Sequence, residues 1–375
     1  MKMINSRPTK FCLTAAVAAL LATQAYADLP DELICGFENV EDMVALPDTR
    51  WIIGSGIGDG FFQKGGLHLF NRDTATGRKV LLDMASTLKP QAPFDRCPGP
   101  ADGEKFSAHG LALGANTDGT HNLYVVNHGG RESIEVFRVT ATGRQAPQLD
   151  WIGCVISPET AMANAVAARK DGSLVMSASF AGETRVTPIA EIAAKGVVMD
   201  AKQAAAASKV VTYGALFTWS REVGWKKVPG SKLPGNNGIE LAADDRWVFV
   251  DSHPGASVTL MPLNPAIGKA REIKLNFHPD NIRYSHDGKL VVTGHVATPE
   301  QVGVCVVSNS PHCAIDYRVA EIDPRTLSVQ QIFDGTGTKD FGTATVGLKT
   351  PEAIWLGPVR GNCVAKGTIR PPDRR

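Results

Sequence analysis

Residues 280–295, DNIRYSHDGKLVVTGH, carry a polar pair, a run with apolar residues at alternate positions, a turn on Asp287-Gly288, and a second apolar run closed by His295. A period of two puts one face of each run in a core, and an Asp-Gly turn joins two such runs as a β-hairpin. The same order recurs in EDMVALPDTRWIIGSG from Glu41, HGLALGANTDGTHNLYVVNH from His109, NAVAARKDGSLVMSAS from Asn164, NGIELAADDRWVFVDSH from Asn237 and EAIWLGPVRGNCVA from Glu352. The period is irregular and averages about sixty residues, somewhat longer than a common propeller blade. A lone hairpin cannot bury its apolar face. Strand-like segments between the copies, GLHLFNR with RKVLLDM, SIEVFRV, ALFTWSR and VTLMPLN, supply the remaining strands of each unit. Six four-stranded units around an axis make an all-β fold, a six-bladed β-propeller. Residues 187–209, TPIAEIAAKGVVMDAKQAAAASK, break the pattern: their Ala and Lys content predicts an inserted helical segment.

The bulk properties agree with one large domain. The chain has 375 residues, 43% of them hydrophobic, and a formal net charge of +1. No run of one sign suggests a nucleic-acid groove or a basic membrane contact, so the expected partner is a small molecule. Residues 1–27 read as an export signal: Lys2, Arg7 and Lys10 precede an apolar stretch ending in Ala25-Tyr26-Ala27, a small-x-small cleavage site. That stretch is short for a membrane span, and no later segment supplies one. The reading is cleavage after Ala27, a single propeller over 28–375, and a periplasmic or secreted location. Six cysteines remain in that span, Cys35, Cys97, Cys154, Cys305, Cys313 and Cys363. An oxidising compartment favours disulfides among them, with about fifteen full pairings possible. A local bridge between Cys305 and Cys313 would close VVSNSPH, and one between Cys35 and Cys363 would lock the ring.

In four copies the leading polar residue stands seven positions before a turn aspartate: Glu41 before Asp48, Asn164 before Asp171, Asn237 before Asp244, and Asp280 before Asp287. If the copies are equivalent blades, these side chains sit at one height on the innermost strands and point to the axis. Two carboxylates and two carboxamides, with Asn281 beside Asp280, are hard oxygen donors of the kind that hold Ca²⁺ at about 2.3–2.6 Å. A polar network satisfied by water is the other way to fill such an axis.

His109 takes the leading position in the second copy, His128 ends the strand that follows, and His295 ends the equivalent strand of the fifth. These placements gather imidazoles around one funnel, where one can act as a general base and a second can orient it. A zinc site is not favoured, since no close H-x-x-x-H pair appears. There is no G-x-S-x-G elbow and no P-loop, and GSGIGDG at 54–60 does not open a helix, which argues against serine-hydrolase and nucleotide-dependent chemistry.

ENVEDMVALP, FSAHGLAL, LYVVNHGGRESIEVFRV, NNGIELAADDRWVFV and PDNIRYSHDGKLVVTGH together resemble the paraoxonase and arylesterase group, within the wider superfamily of gluconolactonase-like and senescence-marker-like propellers. The matches run over roughly residues 35 to 300. The resemblance implies a six-bladed propeller with a catalytic Ca²⁺ on Glu41, Asn164, Asn237, Asp280 and Asn281. It also implies a catalytic pair, His109 with His128, a pocket histidine, His295, and a disulfide tying the termini, matched by Cys35 and Cys363. The group holds a second, structural Ca²⁺ on acids that follow the catalytic ligands. Asp42 matches one of them, but Ala165 stands where the other belongs, which counts against a second ion. The activity implied is hydrolysis of lactones, and of aryl esters. A noncatalytic binding propeller is the alternative from a different class, and a strictosidine-synthase-like condensation is the alternative that keeps the fold and the metal.

Overall fold

A computed structural model describes residues 30–58, 64–82, 90–185, 202–203, 212–307 and 312–369. The export signal expected at 1–27 lies outside these residues, as does the helical insert at 187–209 apart from Lys202 and Gln203.

The strands form six four-stranded antiparallel sheets. Blade 1 contains β2 (Met43–Ala45), β3 (Trp51–Gly56), β4 (Gly66–Asn71) and β5 (Thr76–Lys79). Blade 2 contains β6 (Ala108–Ala115), β7 (His121–Asn127), β8 (Ser133–Thr140) and β9 (Gln148–Ile156). Blade 3 is β10 (Ala161–Ala168), β11 (Leu174–Ala181), β12 (Ala215–Ser220) and β13 (Gly224–Lys227). Blade 4 is β14 (Asn236–Leu241), β15 (Trp247–Ser252), β16 (Ser257–Pro262) and β17 (Arg271–Lys274). Blade 5 is β18 (His278–Tyr284), β19 (Leu290–His295), β20 (Tyr317–Ile322) and β21 (Val329–Gly335). The last blade takes β22 (Ala344–Lys349), β23 (Ile354–Pro358) and β24 (Cys363–Gly367) from the end of the chain and β1 (Glu32–Cys35) from its start. The first strands of neighbouring blades pack against one another around the ring, so the six-bladed propeller read from the repeats is the fold.

Two readings of strand position are corrected. The copy from Glu352 is not an innermost hairpin: its apolar residues form β23 and β24, Glu352 lies in the turn before them, and the inner strand is β22, ATVGLK. Of RKVLLDM, Arg78 and Lys79 belong to β5, which ends there, and Val80, Leu81 and Leu82 lie outside any strand. One short helix, α1 (Pro299–Val307), follows β19. Thr298 and Gln301 close its first turn reciprocally, the Gln301 N–H donating to Thr298 Oγ1 (3.2 Å) and the Thr298 N–H to Gln301 Oε1 (2.9 Å). That is a capping box, with Pro299 at the first helical position.

The period-2 runs explain the packing. Each pair of neighbouring blades encloses an apolar cluster, for example Val136, Val166, Leu174 and Phe217 between blades 2 and 3, or Met43, Ile52, Val346 and Trp355 between the last blade and the first. At the far end of the hairpins the turn aspartates serve the turns. Asp118, Asp171 and Asp244 each accept from a backbone N–H two residues on.

Three disulfides join Cys35 to Cys363, Cys97 to Cys154 and Cys305 to Cys313. They fit an oxidising compartment, and among the described residues no helix is long and apolar enough to cross a membrane. The first pair bridges β1 and β24, residues 328 apart, and so ties the blade that closes the ring. Closing so long a loop restricts the unfolded chain strongly. Replacing both cysteines with serine is expected to lower the unfolding free energy by about 2–5 kcal/mol. Guanidinium unfolding of the two proteins checks this, and an unchanged midpoint would contradict it.

Candidate functional site

The polar residues in register meet at one end of the ring because the inner strands share a defect. Pairing with the second strand is irregular between Ala108 and Leu111, Ala163 and Val166, Asn236 and Ile239, Pro279 and Asn281, and Ala344 and Val346. A bulge bends its strand and re-aims a side chain. Here the same bulge, repeated in five blades, holds His109, Asn164, Asn237, Asp280 and Thr345. The inner ring is tight at this height. A Cβ on Gly110 would stand 2.4 Å from the Asn164 carbonyl oxygen, and one on Gly238 would stand 2.6 Å from that of Asp280. Glycine after the leading residue is what lets the blades approach so closely.

All five expected ligand residues lie on this level, and hydrogen bonds join four of them in two pairs. Asn281 Nδ2 donates to Glu41 Oε1 at 2.6 Å, and the Asn237 amide hydrogen-bonds the Asp280 carboxylate. Glu41, Asn164, Asp280 and Asn281 are buried. Glu41 Oε2, Asn164 Oδ1, Asn237 Oδ1 and Asn281 Oδ1 are all enclosed without a hydrogen-bond partner in the protein. Such groups are normally satisfied, so these oxygens are placed to meet a cation or water, and Glu41 Oε2 also faces His109 Nε2 at 3.5 Å. Two acids contribute to the electrostatics at this level. Burial drives the Asp280 carboxyl well above its ordinary range, and the charge of Glu41 adds to this. Burial acts on Glu41 in the same sense, but His109, Asn281 and Arg283 outweigh it and hold Glu41 below the usual value. Oxygen donors of this number and hardness fit Ca²⁺.

The histidines form a relay on the same end. Glu132 Oε2 lies 2.7 Å from His128 Nδ1, His128 Nε2 lies 2.9 Å from His109 Nδ1, and His109 Nε2 lies 3.5 Å from Glu41 Oε2. With Glu132 accepting from His128 Nδ1–H and His128 accepting from His109 Nδ1–H, the His109 Nε2 lone pair faces the orphaned oxygens. Burial lowers the proton affinity of His109, but Glu41, Asp280 and Asp42 more than offset this and raise it above the ordinary value. His295 stands apart from that pair. Its Nδ1 is 3.8 Å from Asp280 Oδ2 and 3.0 Å from His253 Nε2, and burial lowers its pKa to about 4.

One turn of the alternation below Asn281, Arg283 fills the axis. Its guanidinium pairs with both oxygens of Asp42, donates to the carbonyls of Met43, Leu111 and Ile282, and lies 3.5 Å from Glu240 Oε1. Asp42 also accepts from the N–H groups of Leu111 (2.7 Å) and Met43 (2.8 Å). The carboxylate matched to a second ion is therefore engaged by protein donors, and Ala165 brings no acid to help it. Burial raises Asp42 to about 6 against the pull of Arg283, and Glu240 to about 7. A cavity of 770 Å³ opens at the opposite end, lined by turn residues such as Asp118 and Lys170 and by Tyr284 at the end of β18, away from the oxygens of Glu41, Asn164, Asn237 and Asn281.

Four residues here escaped sequence reading: Glu132, Asp251, His253 and Arg283. The signal for His253 was present, since it follows β15 as His128 follows β7.

No protein-family model matches the chain, and no curated protein matches it. Among solved structures, a gluconolactonase from Xanthomonas campestris is similar over 92% of this chain and 94% of its own, at 12% identity and a TM-score of 0.50. A luciferin-regenerating enzyme is similar over 90% of this chain and 98% of its own, at 11% identity and a TM-score of 0.48. Virginiamycin B lyase from Staphylococcus aureus gives 90% and 99%, at 10% identity and a TM-score of 0.46. At such identity the likeness to the gluconolactonase speaks to the fold alone.

Proposed function

We propose that the chain is a Ca²⁺-dependent hydrolase of lactones, extending to aryl esters, exported by way of its first 27 residues. The observation that carries this reading is the meeting of buried amide and carboxylate oxygens with a histidine that is backed by a second histidine and a carboxylate. The solved gluconolactonase supports it as a protein of the same fold that acts on a lactone.

Glu41, Asn164, Asn237, Asp280 and Asn281 would hold one Ca²⁺, which would supply Lewis-acid polarisation of the substrate carbonyl and offset the charge that develops on its oxygen. His109 Nε2 takes a proton from water as the water oxygen attacks the carbonyl carbon. His128 keeps the other proton of His109 on Nδ1, and Glu132 steadies His128 as positive charge spreads along the relay. When the ring C–O bond breaks, the proton returns from His109 to the leaving oxygen, and a hydroxy acid departs. Arg283 and Asp42 hold the floor of the site without touching the reacting atoms.

The test is hydrolysis of a panel of lactones and phenyl acetate before EDTA, after EDTA, and after Ca²⁺ or Zn²⁺ is restored. Activity is expected to vanish with EDTA and return with Ca²⁺. A folded protein that holds Ca²⁺ and hydrolyses none of the panel would overturn the reading in favour of a binding propeller.

A further inference from the structure

Beside the oxygen set lies a second group of donors with different chemistry. His253 Nε2 and His295 Nδ1 face each other at 3.0 Å, Asp280 Oδ2 lies 3.8 Å from His295 Nδ1, and the three donor atoms all lie within 4.8 Å of one another. We propose that His253, His295 and Asp280 form a transition-metal site, suited to Zn²⁺, with Asp280 giving one carboxylate oxygen to each of two neighbouring ions.

The distances suit such an ion. Four ligands at about 2.0–2.1 Å in a tetrahedron stand about 3.3–3.4 Å from each other, and the two measured separations bracket that value. Imidazole nitrogens favour Zn²⁺ and its neighbours, whereas the amide and carboxylate oxygens beside them favour Ca²⁺, so the two sites select different ions. The donors are also held in place. His295 is fully buried at the end of β19. His278 Nδ1 donates to the His253 carbonyl at 2.7 Å, and the two rings pack with centroids 5.3 Å apart. That contact fixes the chain at His253 and leaves its Nε2 aimed inward.

A third acid stands near. Asp251 is fully buried, neither of its carboxylate oxygens has a hydrogen-bond partner in the protein, and it interacts electrostatically with Asp280.

The inference rests on the Ca²⁺ site of the proposed function but not on hydrolysis, and binding tests it without any substrate. Protein stripped with EDTA and reloaded with excess Ca²⁺ is titrated with Co²⁺ as the probe, followed by its visible spectrum and by elemental analysis after dialysis. One Co²⁺ per chain is expected in the presence of Ca²⁺, displaced by Zn²⁺. His253→Gln is expected to weaken Co²⁺ binding at least tenfold with Ca²⁺ stoichiometry unchanged, while His286→Ala, on an exposed turn, has no effect. X-ray absorption of the Zn²⁺-loaded wild-type protein, which needs no variant, is expected to count two imidazoles on the metal. Failure to bind Co²⁺ stoichiometrically, equal binding by His253→Gln, or a zinc spectrum with fewer than two imidazoles would overturn the site. A protein that passes these tests and hydrolyses no lactone would keep this site and lose the hydrolase reading; the reverse result would separate them the other way.

Discussion

Replacing Arg283 with methionine is expected to cost the fold about 3–5 kcal/mol, the usual scale for removing one partner of a buried ion pair. The reason is what remains. Asp42 is fully buried, and without the guanidinium it keeps only the two backbone N–H groups of Leu111 and Met43. The carbonyls of Met43 and Leu111 lose their side-chain donor in the same step. Arg283 also joins blades that are far apart in the chain, since Asp42 and Met43 belong to the first, Leu111 to the second and Glu240 to the fourth. Chemical unfolding measures the loss. The double change Arg283→Met with Asp42→Asn should recover part of it, because position 42 then leaves no unpaired charge inside. A loss below about 1 kcal/mol in the single variant would show that the guanidinium is not what holds Asp42 in the channel.

The largest kinetic effect is expected at His109. His109→Gln should lower lactone hydrolysis by about 10²- to 10⁴-fold, the range for loss of a general base. Ca²⁺ stoichiometry should stay as in the wild type, since none of the five proposed oxygen ligands changes. Glutamine keeps a polar group of similar reach, so the relay loses its proton carrier more than its packing. Activity within threefold of the wild type would remove His109 from proton transfer and leave the relay as a structural hydrogen-bond chain.

Five of the six inner strands were legible because a polar residue, an apolar run and a turn recur in that order, in four of them at the same spacing, and a six-fold ring turns such a repeat into one height. The last blade hid its inner strand for a physical reason. At the bulge it carries Thr345, whose hydroxyl donates to the Glu41 carbonyl at 2.8 Å. Its turn is Thr350 to Ala353 with no aspartate, so the more apolar IWLGP drew the pattern one strand outward. α1 announces itself in TPEQ at 298–301 and could have been read. The contacts of Arg283 with Asp42, Met43 and Leu111 could not, because those residues lie about 170 to 240 positions away in sequence. Even so, period two alone puts Arg283 on the same face as Asn281, toward the axis. Glu132 and His253 belong to the same class: their residue types stood in view, and only the meeting of blades showed what they touch.

The pairing of β1 with β24 has a consequence for synthesis. Cys35 is made early and its partner lies 328 residues downstream. At translation rates of about 5–20 residues per second, the first strand waits roughly a quarter of a minute to a minute for the edge it pairs with. Throughout that interval it presents an unpaired backbone ladder and a free thiol, while Cys97 and Cys154 are completed before Cys363 exists. The nascent ring is thus most exposed to wrong pairing at its own seam, and whatever shields the newborn chain must guard its first strand longest.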